Sequence, residues 1–170
     1  LIYDSVVYVS TTPSVTTRSY VGGVRGIVYA LSAANGSTIW AWDTTADSLW
    51  GDFRINGGGG LWYPPSVDPD GNLYVGVGNP GDNLCSSSMV SLGPDSGEVR
   101  WYVQAEPHDL FDWDFQNTPV LTTASIDGVD TLLAIGSGKT GTAIAAKAET
   151  GEVVWNVPFG FHLNTDVTEL

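Results

Sequence analysis

Four short stretches of this chain hold the residue types that do chemistry. Pro107–Phe115, PHDLFDWDF, sets His108, Asp109, Asp112 and Asp114 within seven residues. A carboxylate near a cation stays ionised and can accept a proton from a substrate. In an extended strand Asp112 and Asp114 would share one face and Phe111, Trp113 and Phe115 the other. A solvated acidic face over an aromatic core side explains that alternation equally well. Gly57–Asp68, GGGGLWYPPSVD, permits close backbone approach, but Trp62 stands where a G-x-G-x-x-G fingerprint needs its last glycine. A loop with a packed tryptophan is the plainer account. Gly76–Pro80, GVGNP, reads as a turn that ends a strand. Gly136–Gly141, GSGKTG, carries Lys139, one of two lysines in the chain. It is no phosphate loop, because Leu133 occupies the first glycine position of that motif. A turn with an exposed lysine would look the same.

What positions these stretches is a repeat. Gly26–Trp40 (GIVYALSAANGSTIW), Ser87–Trp101 (SSMVSLGPDSGEVRW) and Gly141–Trp155 (GTAIAAKAETGEVVW) align without gaps. Each is an apolar run, a polar turn ending in glycine, three residues and a tryptophan. The tryptophan recurs after 61 and then 54 residues. Asn35-Gly36, Ser96-Gly97 and Thr150-Gly151 supply the positive φ that a hairpin turn needs. The closing tryptophan, large and apolar with one N–H donor, suits a position docked between sheets. Further strand-like runs fall at Ser5–Ser10, Asn72–Val77, Thr118–Thr122 and Thr131–Ile135, with Asp70-Gly71 and Asp127-Gly128 as turn signals. The Ala-rich stretch from Thr142 could pass for helix, but its alignment with the other repeats assigns it to strand. Hairpins at this period indicate an all-β fold: a partial β-propeller of about three four-stranded antiparallel blades over residues 1–170. Known propellers close with four to eight blades, so 170 residues leave sheet edges open.

Composition agrees with a folded β-protein, with 42% hydrophobic residues, 21 Gly and 9 Pro. Six Lys+Arg against nineteen Asp+Glu give a net charge of −13. That excess argues against nucleic acid and anionic membrane surfaces as partners. The single cysteine, Cys85, excludes an internal disulfide and reads as a buried small residue. No apolar run is long enough to span a membrane as a helix, and no signal segment is evident. Starting at Leu1, the chain reads as a piece of something longer.

The repeats and the stretches between them resemble the quinoprotein dehydrogenases, from about residue 5 to about residue 166. Those are eight-bladed propellers that hold pyrroloquinoline quinone (PQQ) and calcium on their axis. The repeat is similar to that family's tryptophan-docking motif, Ala-x-Asp-x-x-Thr-Gly before x-x-x-Trp, with Ser32, Gly93 and Lys147 replacing the aspartate. The resemblance implies Trp62 as the stacking floor beneath PQQ, six residues before Asp68-Pro69. It implies Asn79 of Gly-x-Gly-Asn-Pro as a calcium ligand. It implies Asp112 as catalytic base and calcium ligand, and Lys139 as the cation that polarises the quinone oxygens. Asp109, Asp114 and His162 are given structural roles. The family's further calcium ligand, a glutamate, has no counterpart, since residues 5–25 hold no acidic residue. The implied function is a segment of a PQQ-dependent dehydrogenase, periplasmic or extracellular, that oxidises an alcohol or polyol by hydride transfer. The remaining blades would come from the parent chain or another chain, and the 170 residues alone would be inactive. The alternative is a non-catalytic propeller of the same repeat family, acting as a binding or assembly scaffold.

Overall fold

The structure, a computed structural model, describes residues 1–12, 25–45, 59–78, 85–107, 109 and 111–163. Asn79 and His108 lie outside the described residues. Among the described residues, twelve strands form three four-stranded antiparallel sheets, each made of consecutive strands. The first blade holds β1 (Ile2–Tyr3), β2 (Val6–Ser10), β3 (Ile27–Ser32) and β4 (Thr38–Asp43). The second holds β5 (Ser66–Val67), β6 (Leu73–Val77), β7 (Ser88–Leu92) and β8 (Val99–Gln104). The third holds β9 (Val120–Ile126), β10 (Val129–Ser137), β11 (Thr142–Lys147) and β12 (Val153–Pro158). No helix occurs among the described residues, and the Ala-rich stretch is strand β11.

The repeat is the hairpin joining the third and fourth strands of each blade. Backbone bonds close it in the same way each time. Ser32 N–H donates to the Ser37 carbonyl, Gly93 to Glu98 and Lys147 to Glu152. The turn glycines Gly36, Gly97 and Gly151 sit at φ of 73°, 71° and 75°. A register irregularity follows Ala30, Ser91 and Ala145, the residues that pair with Trp40, Trp101 and Trp155. The bulges beside Trp40 and Trp101 lie where these side chains turn toward the following blade.

Two tryptophans dock there. Trp40 Nε1 donates to the Pro94 carbonyl at 2.8 Å, and Trp101 Nε1 to the Ala148 carbonyl at 2.8 Å. Each indole lies over the turn glycine of the blade it reaches. A Cβ added at Gly97 would fall 2.5 Å from the Trp40 ring, and one at Gly151 2.8 Å from Trp101. Tyr8 packs beside Trp40 and Tyr74 beside Trp101. The core is therefore two layers between blades. Val28, Ala30, Leu73, Val75, Val77 and Val90 fill the first, and Met89, Phe115, Ala134, Ile144 and Ala146 fill the second. The middle blade is covered on both faces, so β6 and β7 are buried throughout. Cys85 is buried in the first layer.

Some expected bounds move. The run expected at Thr118–Thr122 begins as β9 at Val120, since Pro119 has no N–H for the ladder and Thr118 Oγ1 donates instead to the Pro64 carbonyl at 2.7 Å. Asp127-Gly128 is a two-residue turn with both φ positive, 51° and 80°, joining the paired Ile126 and Val129. It carries β9 and β10 further than their apolar pattern suggests.

Candidate functional site

The chain passes from the second blade to the third through residues 105–119. Part of this connector is squeezed between the blades. On one side β6 offers Gly76 and, just beyond it, Gly78. On the other, β10 offers Gly136 and, just beyond it, Gly138. A Cβ at Gly76 would strike the backbone of Phe115, Gln116 and Asn117, and one at Gly138 the Asp114 carbonyl. At Gly136 it would lie 2.5 Å from the Phe115 ring. Lys139 N–H donates to the Asp114 carbonyl at 2.7 Å and Asn117 N–H to the Ser137 carbonyl at 3.2 Å, fastening the connector to the third blade. The two Gly-x-Gly stretches, read from sequence as turn punctuation, make room for this passage.

The connector delivers two carboxylates to one lysine. Lys139 Nζ lies 2.7 Å from Asp112 Oδ2 and 2.6 Å from Asp114 Oδ2. The two aspartates differ in setting. The Asp112 side chain is 59% exposed and that of Asp114 4%, with Lys139 between them at 44%. An uninterrupted strand would have solvated both. Asp112 instead adopts φ of 62°, a left-handed conformation that breaks the alternation and turns Asp114 inward. The extended acidic face expected from the sequence is corrected accordingly: residues 111–119 form no strand, and one of the two acids is buried. Burial of Lys139 acts to lower its pKa, but its hydrogen bonds to Asp112 and Asp114 outweigh this and hold the pKa above the usual lysine range. The ammonium is thus fully charged at neutral pH.

Trp62 stands on the same side. Leu61, anchored by its N–H to the Thr11 carbonyl and buried in the first core layer, fixes the loop that carries it. Gly78 N–H donates to the Gly60 carbonyl at 2.9 Å. A Cβ placed on Gly78 would lie 2.7 Å from Asp114 Oδ1 and 2.8 Å from Trp62 Cζ3. The indole and the buried carboxylate therefore flank the same glycine. Trp62 remains 45% exposed, so part of its ring is free to meet another molecule.

Two other residues have positions of their own. Asp109 is buried and accepts from Phe111 N–H at 2.9 Å and Ser87 Oγ at 3.3 Å, tying the start of the connector to the second blade. His162 stacks on Trp113 with centroids 3.6 Å apart, and Trp113 packs in turn on Phe111. Phe159 and Gly160 N–H groups both donate to the Gly141 carbonyl, which brings the segment after β12 against the Lys139 turn. Sequence reasoning gave Asp114 a structural role only. Its direct contact with Lys139 had one signal, its place two residues after Asp112, and the left-handed Asp112 hid the consequence.

Three β-meander blades with interlocking tryptophans define a segment of a β-propeller, with its polar cluster at one end of the seam between blades two and three. The profile of the PQQ family, described as the glucose/ethanol/alcohol dehydrogenase β-propeller domain, matches residues 1–159, and this chain belongs to that family. It is 31% identical over 171 residues to the quinohemoprotein alcohol dehydrogenase ADH IIB of Pseudomonas putida, covering 81% of this chain and 24% of that protein. It is 34% identical over 122 residues to the lanthanide-dependent methanol dehydrogenase of Methylorubrum extorquens, covering 66% of this chain and 20% of that protein. A solved europium-containing methanol dehydrogenase shares the fold with a TM-score of 0.79 and 24% identity, over 94% of this chain and 33% of its own. The chain spans about a quarter of the length of the curated relatives it matches.

Proposed function

We propose that these three blades are a segment of a PQQ-dependent dehydrogenase that oxidises an alcohol or polyol, working in the periplasm or outside the cell. One observation carries this reading. A half-exposed indole and a lysine ammonium shared by two carboxylates converge at the same end of one inter-blade seam. A β-propeller used only as a scaffold has no need of that set.

The residues fit the quinone. Trp62 offers a flat apolar face on which a planar ring system can stack. Lys139 offers a fixed positive charge to electron-rich oxygens. PQQ, when bound, supplies the carbon that receives the hydride. Asp112, exposed beside Lys139, would take the hydroxyl proton on a carboxylate oxygen. Asp114, buried and paired to the same ammonium, holds Lys139 in place. Calcium fits less well. It takes six to eight oxygen ligands, and no group of three or more His, Cys, Asp or Glu suited to a metal occurs among the described residues. Asn79 and Asp112 would be its ligands from this chain, and no step is assigned to it.

The scaffold reading has one observation in its favour: both acids of the pair already have a cationic partner in Lys139, a contact that serves a purely structural role as well, although two carboxylates and one ammonium leave the cluster a net charge of −1. Adding PQQ with Ca²⁺ or a lanthanide ion to the complete protein that carries these blades separates the two. Stoichiometric uptake of quinone absorbance, with alcohol-dependent dye reduction lost in Asp112→Asn while quinone is retained, is the expected result. Failure to retain quinone under either metal would overturn the dehydrogenase reading and leave the scaffold.

A further inference from the structure

Asp112 owes its place to a left-handed bend, and a second left-handed residue lies beneath that bend. Ser87, in the turn just before β7, has φ of 45° and is fully buried. Serine carries a Cβ and adopts this conformation less readily than Gly, Asn or Asp. Ser5 adopts it too, but in an exposed two-residue turn between the paired Tyr3 and Val6, where the hairpin itself demands it. No hairpin demands it at Ser87. Backbone strain of this kind persists where the surroundings fix it, and it gathers at functional sites.

The surroundings of Ser87 are the second blade and the connector. Ser88 Oγ and Gln104 Nε2 donate to the Ser86 carbonyl at 2.8 and 3.1 Å, and Ala105 N–H donates to the Ser87 carbonyl at 2.8 Å. These bonds fasten the turn to β7 and β8. The Ser87 hydroxyl then faces two acceptors, Asp109 Oδ2 at 3.3 Å and the Trp113 carbonyl at 3.4 Å. Its single proton is shared between them as a three-centre bond. Asp109, itself 1% exposed, accepts from Phe111 N–H on its other oxygen at 2.9 Å, which closes a local turn. One hydroxyl thus gathers the residue three before Asp112 and the residue just after it. Asp112 stands at the bend between them, with its carboxylate out toward Lys139.

We propose that Ser87 is a positioning residue for Asp112: its hydroxyl draws Asp109 and the Trp113 carbonyl together and so holds the left-handed bend that sets the Asp112 carboxylate beside Lys139. The catalytic consequence rests on the dehydrogenase reading; the bend itself does not. The test is Ser87→Gly in the complete protein that carries these blades. Glycine accepts φ of 45° more readily than serine, so the turn is kept and only the hydroxyl is lost. Hydrogen exchange is expected to rise on the order of tenfold in peptides spanning 109–114, with β6, β7 and β10 unchanged. Alcohol turnover by protein loaded with PQQ and metal is expected to fall on the order of ten- to a hundredfold, with KM and quinone retention unchanged. Asp109→Asn keeps an acceptor for Phe111 N–H and offers an amide N–H to the Ser87 oxygen, whose proton then serves the Trp113 carbonyl. It should keep most of the turnover and protection that Asp109→Ala loses. Wild-type exchange and turnover in Ser87→Gly, exchange raised evenly across the blades, or an Asp109→Asn no better than Asp109→Ala would each overturn the proposal. Were the wild type to retain no quinone, the dehydrogenase reading would fall, and exchange over 109–114 would by itself uphold or overturn the bend.

Discussion

Three turn glycines share one backbone conformation but differ in surroundings, which makes them a controlled experiment. Gly36 and Gly151 have φ of 73° and 75°. Alanine at either must adopt a left-handed conformation, at a cost of about 1–2 kcal/mol. At Gly36 nothing else is added, since no atom of the described residues lies within 4 Å of the new methyl group. At Gly151 the methyl would lie 2.8 Å from Trp101 Cγ and Cδ2 and 2.9 Å from its Cβ. Those atoms are the root of a buried side chain tied to the Ala148 carbonyl, and they cannot swing aside. Overpacking of this kind costs about 1–3 kcal/mol more. Gly151→Ala should therefore destabilise by about 2–5 kcal/mol and Gly36→Ala by about 1–2 kcal/mol. Urea unfolding reads both as shifts in midpoint at constant slope. Equal losses at the two positions would refute the idea that the glycine exists for the docked indole and would leave only its φ.

Trp101→Phe removes a buried hydrogen bond and should cost about 1 kcal/mol beyond the lost ring area, read as a shift of the urea midpoint. Lys139→Gln should destabilise more than Asp112→Asn, because it deprives a buried carboxylate while Asp112 is a surface partner worth at most about 1 kcal/mol; urea midpoints decide. Tyr74, fully buried and hydrogen-bonded to Asp68 Oδ2 at 2.8 Å, has its phenol pKa raised by burial first and by Asp68 second. Its neutral form is favoured in the folded state, so its contribution is intact below the ordinary tyrosine value of 10.0 and is lost as pH climbs above it. Tyr74→Phe should flatten the loss of stability with pH in that alkaline range, and the slope of unfolding midpoints against pH measures it.

The repeats were legible because a glycine and a tryptophan at fixed separation must both be present for a blade to dock, and both survive where the family aspartate does not. The two-residue strands β1 and β5 were not, since two residues cannot show an alternation. Asp114 was misplaced for a subtler reason. Period-two reasoning assumes every residue stays extended, and one left-handed aspartate shifts the register of all that follow. Trp62 and Lys139 meet the same cluster from distant parts of the chain, and no local pattern joins them. Their pairing came only through the family resemblance. Nothing local showed that Gly76, Gly78, Gly136 and Gly138 make room for one connector, because a missing Cβ looks the same in a turn as in a tight passage.

The antiparallel order of a blade explains why the cluster lies where it does. Strands alternate in direction, so the loop between second and third strands emerges at the end opposite the repeat hairpin. The connector to the next blade leaves from that same opposite end. Trp62 lies on the connector from blade one to blade two, and Asp112 and Asp114 on the connector from blade two to blade three. Lys139 lies on the second-to-third-strand loop of blade three. All four residues therefore emerge at one end, while Gly36, Gly97 and Gly151 mark the other. Tryptophan docking at one end holds the blades at a fixed spacing, and that spacing brings side chains from successive connectors into one cluster at the other. The repeat supplies the geometry, and the chemistry comes from the residues in which one connector differs from the next.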